Sequence, residues 1–250
     1  MKTFDFYADE KHTIWTRIEF KIEAETYEQA LEKIKEVEKG DYSVIYDDEI
    51  ISTLDSLLLP LCKENFIERD SLKVHIIDKD EVNAFAMPDN HLVVYTGLIL
   101  KCKNEQALLG VLGHEIAHLQ KNHVMKKLSK EIGFSVLMSM TGANATMIKE
   151  VLHTLSSSAY DRNLEREADM ESVNYMINAN IDPRPFADFM YELSLNNEIH
   201  KYTYWISTHP ESEERAKYIL NYLKGKKIKN TTILSKESWL AFKQKIKDSN

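Results

Sequence analysis

The chain has 250 residues, 43% apolar and 29% charged, which is enough to bury a substantial core in one large domain or in a main domain with a small companion. Its formal net charge of −8 argues against nonspecific binding to nucleic acid or to anionic membranes, because both need a basic surface. Cys62 and Cys102 form no CxxC pair, a usage typical of ordinary thiols in a reducing compartment. The composition predicts a folded globular protein with no nucleic-acid partner.

The location is predicted from the absence of long apolar stretches. The N-terminus reads MKTFDFYADEKHTIW and lacks the apolar region of a signal peptide. No run approaches the roughly 20 uninterrupted apolar residues of a membrane span. The most apolar candidate, IGFSVLMSMTGANATM, is interrupted at Thr141, Gly142 and Asn144. We therefore expect a soluble cytoplasmic protein without a transmembrane segment, or a periplasmic or exported one if a native leader has been lost.

Residues 1–50 are predicted to form a small β-α-β appendage of unknown role. Apolar residues alternate along 13–23 as in a strand. The stretch from Thr26 to Lys39 has apolar residues at helical spacing, and Gly40 ends it. YSVIY at 42–46 predicts a second strand. Nothing in this appendage carries chemistry, so we place the functional domain at 51–250.

The main domain begins with a small sheet and continues as a helical body. PDN at Pro88–Asn90 suits a tight hairpin turn between two of its strands. The sequence predicts a helix at 51–66, strands at 72–78, 83–87 and 91–96, and helices from 104 onward with breaks near 141–144, 180–185 and 207–210. This order predicts an α+β fold that is mostly helical.

The run GHEIAHLQKNH, Gly113 to His123, lies in a predicted helix from Glu105 to Gln120 with Asn104 as its N-cap. His114 and His118 are one turn apart on the same face, so both imidazoles can reach one metal ion. Glu115 is offset by roughly 100°, beside the ion, where it can take a proton from water. The alternative is the polar face of an ordinary helix, but burying these groups without a partner is costly.

A third ligand is needed, and its position decides the class. A metzincin needs a histidine at the position of Val124, and His123 comes one residue too early. A second predicted helix, Tyr160 to Ile177, places Glu165 and Asp169 one turn apart, where two acids repel unless a positive charge is near. Zinc on Glu165, with Asp169 accepting an N–H from a ligating histidine, resolves the conflict. A solvated acidic face balanced by Arg162 and Arg166 remains the alternative.

Four segments, in order, resemble the zinc metallopeptidases of the HtpX and CAAX-prenyl-protease type. They are NAFAMP with VVYTGLIL at Asn83–Leu100, LGHEIAHLQKNH at Leu112–His123, YDRNLEREAD at Tyr160–Asp169 and STHPESEER at Ser207–Arg215. The resemblance covers roughly residues 52–225. Two departures are Asp161, where the family has Ser, and Asp89–Asn90, where glycines are common.

The resemblance implies a zincin-like fold and one Zn²⁺ per chain. The implied ligands are His114, His118 and Glu165, with Glu115 as general base and Asp169 orienting a ligand. The resemblance also implies that His209 faces the zinc, and that Arg215 anchors the loop of His209 or contacts substrate. In some relatives this histidine binds zinc and blocks the site, so its role is left open between catalysis and inhibition. The residues alone favour a helix-start turn at His209–Pro210.

The substrate is expected to be a protein or peptide that pairs as an extended strand with a cleft edge. The residues expected to form that edge are Asn83, Ala84, Phe85 and Ala86. The predicted function is a zinc-dependent endopeptidase acting on extended or unfolded polypeptides. The alternative is a zinc-containing chaperone-like or protein-binding module with latent, self-inhibited peptidase activity. The oligomeric state is left open.

Overall fold

The computed structural model describes residues 2–11, 15–24, 43–131, 133, 151, 153–155, 158–195 and 205–249. The helix predicted from Thr26 to Lys39 and the break predicted near Thr141 to Asn144 lie outside these residues.

The described residues form short strands near the start and helices through the rest of the chain. The strands are β1 (Lys2–Lys11), β2 (Trp15–Ala24), β3 (Ser43–Val44), β4 (Lys73–Asp78), β5 (Ala84–Met87) and β6 (His91–Tyr95). The helices are α1 (Asp48–Lys63), α2 (Thr96–Lys101), α3 (Glu105–Gln120), α4 (His123–Glu131), α5 (Arg162–Asn178), α6 (Arg184–Leu195), α7 (Ser212–Leu223) and α8 (Lys236–Asp248). The predicted α+β, mostly helical fold class is confirmed.

β1 and β2 form an antiparallel hairpin in which Lys2 pairs with Ala24 and Lys11 with Trp15. The prediction included β2 but not β1, although Phe4, Phe6 and Ala8 alternate in the sequence as in a strand. The strand predicted at 42–46 is reduced to β3, which pairs with β4. The domain division at residue 50 stays a prediction.

The sheet that carries the site has the order β3-β4-β6-β5, so β5 lies at its edge. β6 runs parallel to β4 and antiparallel to β5. Asp89 and Asn90, between β5 and β6, have φ values of 61° and 60°. Asp and Asn tolerate this left-handed conformation better than other non-glycine residues, which explains how the hairpin closes without glycine.

α3 is the central helix and is buried from Glu105 to His118. Two glycines on it allow close packing: an added Cβ at Gly110 would lie 2.3 Å from Phe186 Cβ, and one at Gly113 would lie 2.7 Å from Ser172 Oγ. α6 and α5 therefore approach α3 closely, and this approach brings the acids of α5 against the histidines of α3.

The C-terminal segment is attached to the start of α3. The carboxylate of Glu105 accepts hydrogen bonds from the backbone N–H groups of Ile233 (2.7 Å) and Leu234 (2.6 Å). Trp239 of α8 is buried and its Nε1–H donates to the carbonyl of Lys103 at 3.1 Å. These contacts hold the N-terminal end of the central helix in place.

Candidate metal centre

Helices α3 and α5, together with α7 and the residues just before it, bring the predicted catalytic and metal-binding residues together. α3 carries His114, Glu115 and His118, and its N-cap Asn104 accepts a hydrogen bond from the N–H of Ala107 at 2.9 Å. α5 carries Glu165 and Asp169, and its N-cap Asp161 accepts from the N–H of Asn163. Asp161 thus performs the capping that the family's Ser can also perform, which explains this departure.

The possible ligands converge on one point. One ligand atom from each of His114, His118, Glu165 and His209 lies within 4.8 Å of the others, and all four residues are buried. His114 Nε2 is 3.0 Å from His118 Nε2, and His118 Nε2 is 3.3 Å from Glu165 Oε1. Side chains from distant parts of the sequence therefore form a single cluster.

The hydrogen-bond contacts place the proton of the His114 and His209 imidazoles on Nδ1. His114 Nδ1 donates to Asp169 Oδ1 at 2.8 Å. His209 Nδ1 is 2.8 Å from the hydroxyl of Thr208, which itself donates to the carbonyl of Trp205 at 3.2 Å. His118 Nδ1 lies 3.1 Å from His123 Nδ1. The Nε2 atoms of His114 and His209 are then left with a lone pair that points into the cluster.

The donor set fits a zinc ion. Glu165 Oε1 and His209 Nε2 are buried and make no hydrogen bond to any described residue, while Glu165 Oε2 is paired with the Arg215 guanidinium. Buried polar atoms without a hydrogen-bond partner are costly unless a cation lies between them. Imidazole nitrogens with one carboxylate are the usual ligands of catalytic zinc.

Glu115 lies beside this cluster, and its carboxylate contacts the strand β5 and His209. Its Oε2 accepts the backbone N–H of Ala86 in β5 at 2.9 Å. Its Oε1 is 3.1 Å from His209 Nε2 but makes no hydrogen bond within the part of the chain that is described. Burial, followed by the charge of Glu165, raises the pKa of Glu115 well above its usual 4.5. The free oxygen is available to receive a proton.

Arg215 provides the positive charge that the two acids of α5 require. Its Nε and Nη2 donate to both oxygens of Asp169 at 2.8 and 2.7 Å, and its Nη1 lies 2.7 Å from Glu165 Oε2. The side chain of Arg162 is 79% exposed and pairs with Glu211 instead. Because Glu165 and Asp169 are both buried, the alternative of a solvated acidic face does not describe them.

Burial and neighbouring charges set the protonation states of the cluster. Burial lowers the pKa of His114 from 6.5 to about 4, against the opposing charges of Glu165 and Asp169. Burial also raises the pKa of Asp169, but Arg215 and His114 reverse the shift and hold that pKa below its usual value. Neutral imidazoles and an ionised Asp169 are the forms that a metal site needs.

The residues predicted to bind substrate lie in and beside β5, whose residue Ala86 contacts Glu115. Asn83 precedes β5, and Ala84, Phe85 and Ala86 belong to it; all four are buried. The ring of Phe85 packs edge-on against Tyr95 at 5.9 Å, so it supports the sheet. Among the described residues, neither polar atom of the Asn83 side chain has a hydrogen-bond partner.

Four residues that the sequence reasoning did not single out also contact the cluster. The ring of Tyr160 stacks on His118 at 3.9 Å, and Trp205 stacks on His209 at 4.1 Å. The ammonium of Lys127 lies 4.1 Å above the ring of Tyr160, and the hydroxyl of Tyr218 donates to Asp169 Oδ2. The sequence offered a hint for two of these residues. Tyr160 opens one of the four segments of the resemblance, and Tyr218 follows Arg215 by one helical turn.

Comparisons with known proteins find related peptidases. The model of peptidase family M48 matches residues 50–223. The "Metalloendopeptidase OMA1, mitochondrial" of Bos taurus is 29% identical over 163 residues, which are 58% of this chain and 31% of the relative. The "Mitochondrial metalloendopeptidase OMA1" of Schizosaccharomyces pombe is 27% identical over 165 residues, 64% of this chain and 49% of the relative.

A third relative is the "Beta-barrel assembly-enhancing protease" of Yersinia pestis, 23% identical over 237 residues, 85% of this chain and 48% of the relative. The chain thus spans about a third to a half of the length of these relatives. Two of them are metalloendopeptidases by name, which confirms the prediction of a metallopeptidase with a metal cofactor at the level of the family.

The prediction of a cytoplasmic location is wrong, because the names of the relatives point elsewhere. The relatives of cow and fission yeast are named as mitochondrial, and the third is named for β-barrel assembly. The polar character of the first residues was therefore not a sound basis for predicting the cellular location. Within the described residues, every helix is too short or too polar to cross a bilayer.

The family match spans every residue of the metal cluster, from His114 to His209, and it covers well over half of the sequence. The predicted resemblance is therefore confirmed at family level, and the chain belongs to peptidase family M48.

Proposed function

We propose that the protein is a zinc-dependent endopeptidase that hydrolyses peptide bonds in extended or unfolded polypeptides. The observation that carries the proposal is the buried cluster of converging ligand atoms on His114, His118 and Glu165, with the free Oε1 of Glu115 beside it. A structural cluster would have its polar atoms satisfied by one another. This one leaves them directed at a shared point.

His114, His118 and Glu165 would hold the zinc. A bound zinc ion supplies Lewis acidity, which polarises a carbonyl and acidifies water. Asp169 fixes the ring of His114 through the 2.8 Å contact at Nδ1, and Arg215 holds both Asp169 and Glu165. These contacts keep the ligand atoms in place, so little reorganisation is needed when the ion binds.

Glu115 is the proposed general base. Its Oε1 would accept a proton from the attacking water and later deliver it to the leaving amine. The N–H of Ala86 holds Oε2 and so aims the carboxylate. The raised pKa suits this exchange, because it makes the carboxylate a stronger base than an ordinary glutamate.

The edge strand β5 is the proposed substrate-binding element. Among the described strands it lies at the end of the sheet, where an extended peptide can add through main-chain hydrogen bonds. The buried and unpartnered amide of Asn83 would be satisfied by a peptide group of the substrate. Ala84 and Ala86 are small, which would let the substrate backbone come close.

A second candidate function is a self-inhibited form of the same enzyme, and His209 favours it. The Nε2 of His209 is near enough to the other three ligand atoms to be a fourth ligand, and it lies 3.1 Å from Glu115 Oε1. A histidine in that position would occupy the place of the substrate carbonyl and restrain the base. The protein would then bind polypeptides while cleaving them slowly.

Glu115→Gln tests the proposed function. We expect cleavage of an unfolded test protein to fall by about 10²- to 10⁴-fold, because the amide cannot accept the proton, while zinc content stays near one per chain. Glu105→Gln is the matched control, because Glu105 is also buried on α3 but lies at its other end. It should keep the turnover per folded molecule. Unchanged cleavage by Glu115→Gln would sink the mechanism.

His209→Ala separates the two candidates. A rise in cleavage rate would identify His209 as an inhibitory ligand. A fall would assign it to the stabilisation of charge during the reaction, as for other donors aimed at a developing oxyanion. Rates are compared at equal zinc occupancy, so that a change in metal affinity does not enter.

A further inference from the structure

His123 lies at the start of α4, immediately after the turn that ends α3, and is fully buried. The residue before it, Asn122, has a φ of 57°, a left-handed conformation that Asn adopts more readily than most residues. The chain therefore reverses at the end of α3 and returns His123 to its C-terminal turn. This reversal places His123 Nδ1 at 3.1 Å from His118 Nδ1.

The protons on these two rings can be assigned by elimination. One of two facing nitrogens must donate and the other accept. His123 Nε2 lies 3.3 Å from Glu167 Oε2, a carboxylate that only accepts, so the proton of a neutral His123 belongs on Nε2. His123 Nδ1 is then the acceptor, and His118 donates from its Nδ1. His118 Nε2 keeps its lone pair for the metal.

We propose that His123 is a positioning residue for the metal ligand His118, as the middle member of a relay that runs from Glu167 through His123 to His118. The proposal rests on the proposed function in that it takes His118 as a zinc ligand. His123 is the third histidine of GHEIAHLQKNH. The spacing of the metal ligands gives it no role, and this proposal assigns one.

The two ligating histidines are thus held by partners of different kinds. The partner of His114 is the charged Asp169, whereas the partner of His118 is a neutral ring. The cluster already buries Glu115, Glu165 and Asp169. A further carboxylate beside His118 would add to that buried negative charge, which is costly. A neutral imidazole fixes the ring of His118 and leaves the charge on Glu167, whose side chain is 49% exposed.

Substitutions at His123 distinguish its two nitrogens. The Oδ1 of asparagine stands two bonds from Cβ, as Nδ1 does in histidine, so His123→Asn retains the acceptor for His118. His123→Gln places its amide farther out, near the position of Nε2, and His123→Leu removes both. We expect His123→Leu to weaken zinc binding by about 10- to 100-fold, His123→Gln nearly as much, and His123→Asn by a few-fold only.

Two measurements on the full chain test the relay. Zinc affinity is obtained by competition with a chelator, and the ring proton of His118 is observed by ¹H–¹⁵N NMR in both metal-free and zinc-loaded protein. We expect an Nδ1–H signal from His118 in the wild type and in His123→Asn, and its loss or tautomeric mixing in His123→Leu. A role in packing alone would leave the tautomer of His118 unchanged.

A matched pair of acids on α5 provides the control. Glu167→Ala should weaken zinc binding by a few-fold, because water replaces the lost acceptor at a half-exposed site. Glu171→Ala removes the 3.0 Å ion pair with Lys121, one turn along the same helix, and should not change zinc affinity. Equal effects of the two variants would overturn the part of the proposal that concerns Glu167.

The outcomes separate this inference from the proposed function. If the wild type binds no zinc, the proposed function fails, and the NMR of the metal-free protein still decides the relay. If the wild type binds zinc but His123→Leu binds it equally well, the relay is overturned and the proposed function stands. If His123→Leu does not fold, His123→Asn and His123→Gln decide, because equal zinc affinities for these two would overturn the relay.

Discussion

The two ends of α3 each bury a glutamate, but they treat it differently. At the N-terminal end both oxygens of Glu105 accept backbone N–H groups, from Ile233 and Leu234. At the metal end Glu115 has one oxygen bonded to the N–H of Ala86, and its other oxygen is free within the described structure. Glu165, which packs against that end, has Oε2 paired with the Arg215 guanidinium at 2.7 Å, whereas its Oε1 makes no hydrogen bond to a described residue.

This contrast shows what distinguishes a structural acid from a functional one. Burial raises the pKa of Glu105, Glu115 and Glu165 alike, so the direction of the shift does not separate them. Hydrogen-bond satisfaction does. A buried carboxylate with its lone pairs filled stabilises the fold, whereas one with lone pairs directed at a shared point costs free energy until a cation binds.

The largest expected effect is the loss of zinc affinity on substitution of Glu165. Glu165→Gln should weaken zinc binding by on the order of a thousandfold, because a buried cation loses its only charged ligand. Thermal unfolding with and without zinc, together with chelator competition, measures this. In the wild type, zinc at 100 times its dissociation constant should stabilise the fold by about 2.7 kcal/mol.

Glu105→Gln is the counterpart at the other end of the helix. It should bind zinc as the wild type does but lose about 1–3 kcal/mol of stability, since its amide NH₂ cannot accept the second backbone N–H. If both variants lost zinc equally, the two ends of α3 would not differ as described.

The next effect concerns the buried ammonium near the metal end. Lys127 donates to the carbonyls of Leu155 and Ser158, and burial lowers its pKa from 10.5 to about 8. Between these two values the unfolded chain holds a proton that the folded chain has released. The stability of the wild type relative to Lys127→Met should therefore rise by roughly 3 kcal/mol between pH 7 and pH 10.5.

Denaturant unfolding of the wild type and Lys127→Met across that range is the measurement. The two carbonyls left unpaired in the variant add an offset that does not depend on pH, so the slope of the difference is decisive. A difference that stays constant from pH 7 to pH 10.5 would contradict the lowered pKa of Lys127.

The smallest effect compares two glycines of α3. Gly110→Ala should destabilise the protein by about 1–3 kcal/mol, because the new methyl meets Phe186 Cβ, which cannot rotate away. Gly113→Ala meets the hydroxyl of Ser172, which can rotate. The gain in helix propensity, about 1 kcal/mol, should nearly cancel the lost hydrogen bond from Ser172 to the carbonyl of Gly110. Thermal denaturation that ranks the two variants in the opposite order would refute this packing.

Local signals determined most of the fold. The bounds of α3 and its N-cap Asn104 follow from apolar spacing and capping chemistry, and the strands β4, β5 and β6 follow from their patterns. Contacts between residues far apart in the sequence could not be predicted in this way. The pairing of β3 with β4 and the attachment of the C-terminal segment to Glu105 depend on packing across the whole domain.

The sequence by itself determined the chemistry of the metal end: two histidines one turn apart, a glutamate beside them and an acid pair on a second helix, each defined by helical geometry. Only the tertiary structure decided which cation balances those acids, Arg215 and not Arg162, and which of the two acids holds the Nδ1 of His114. Those answers depend on distances between helices. Helical periodicity sets which side chains share a face, but it does not set what lies opposite.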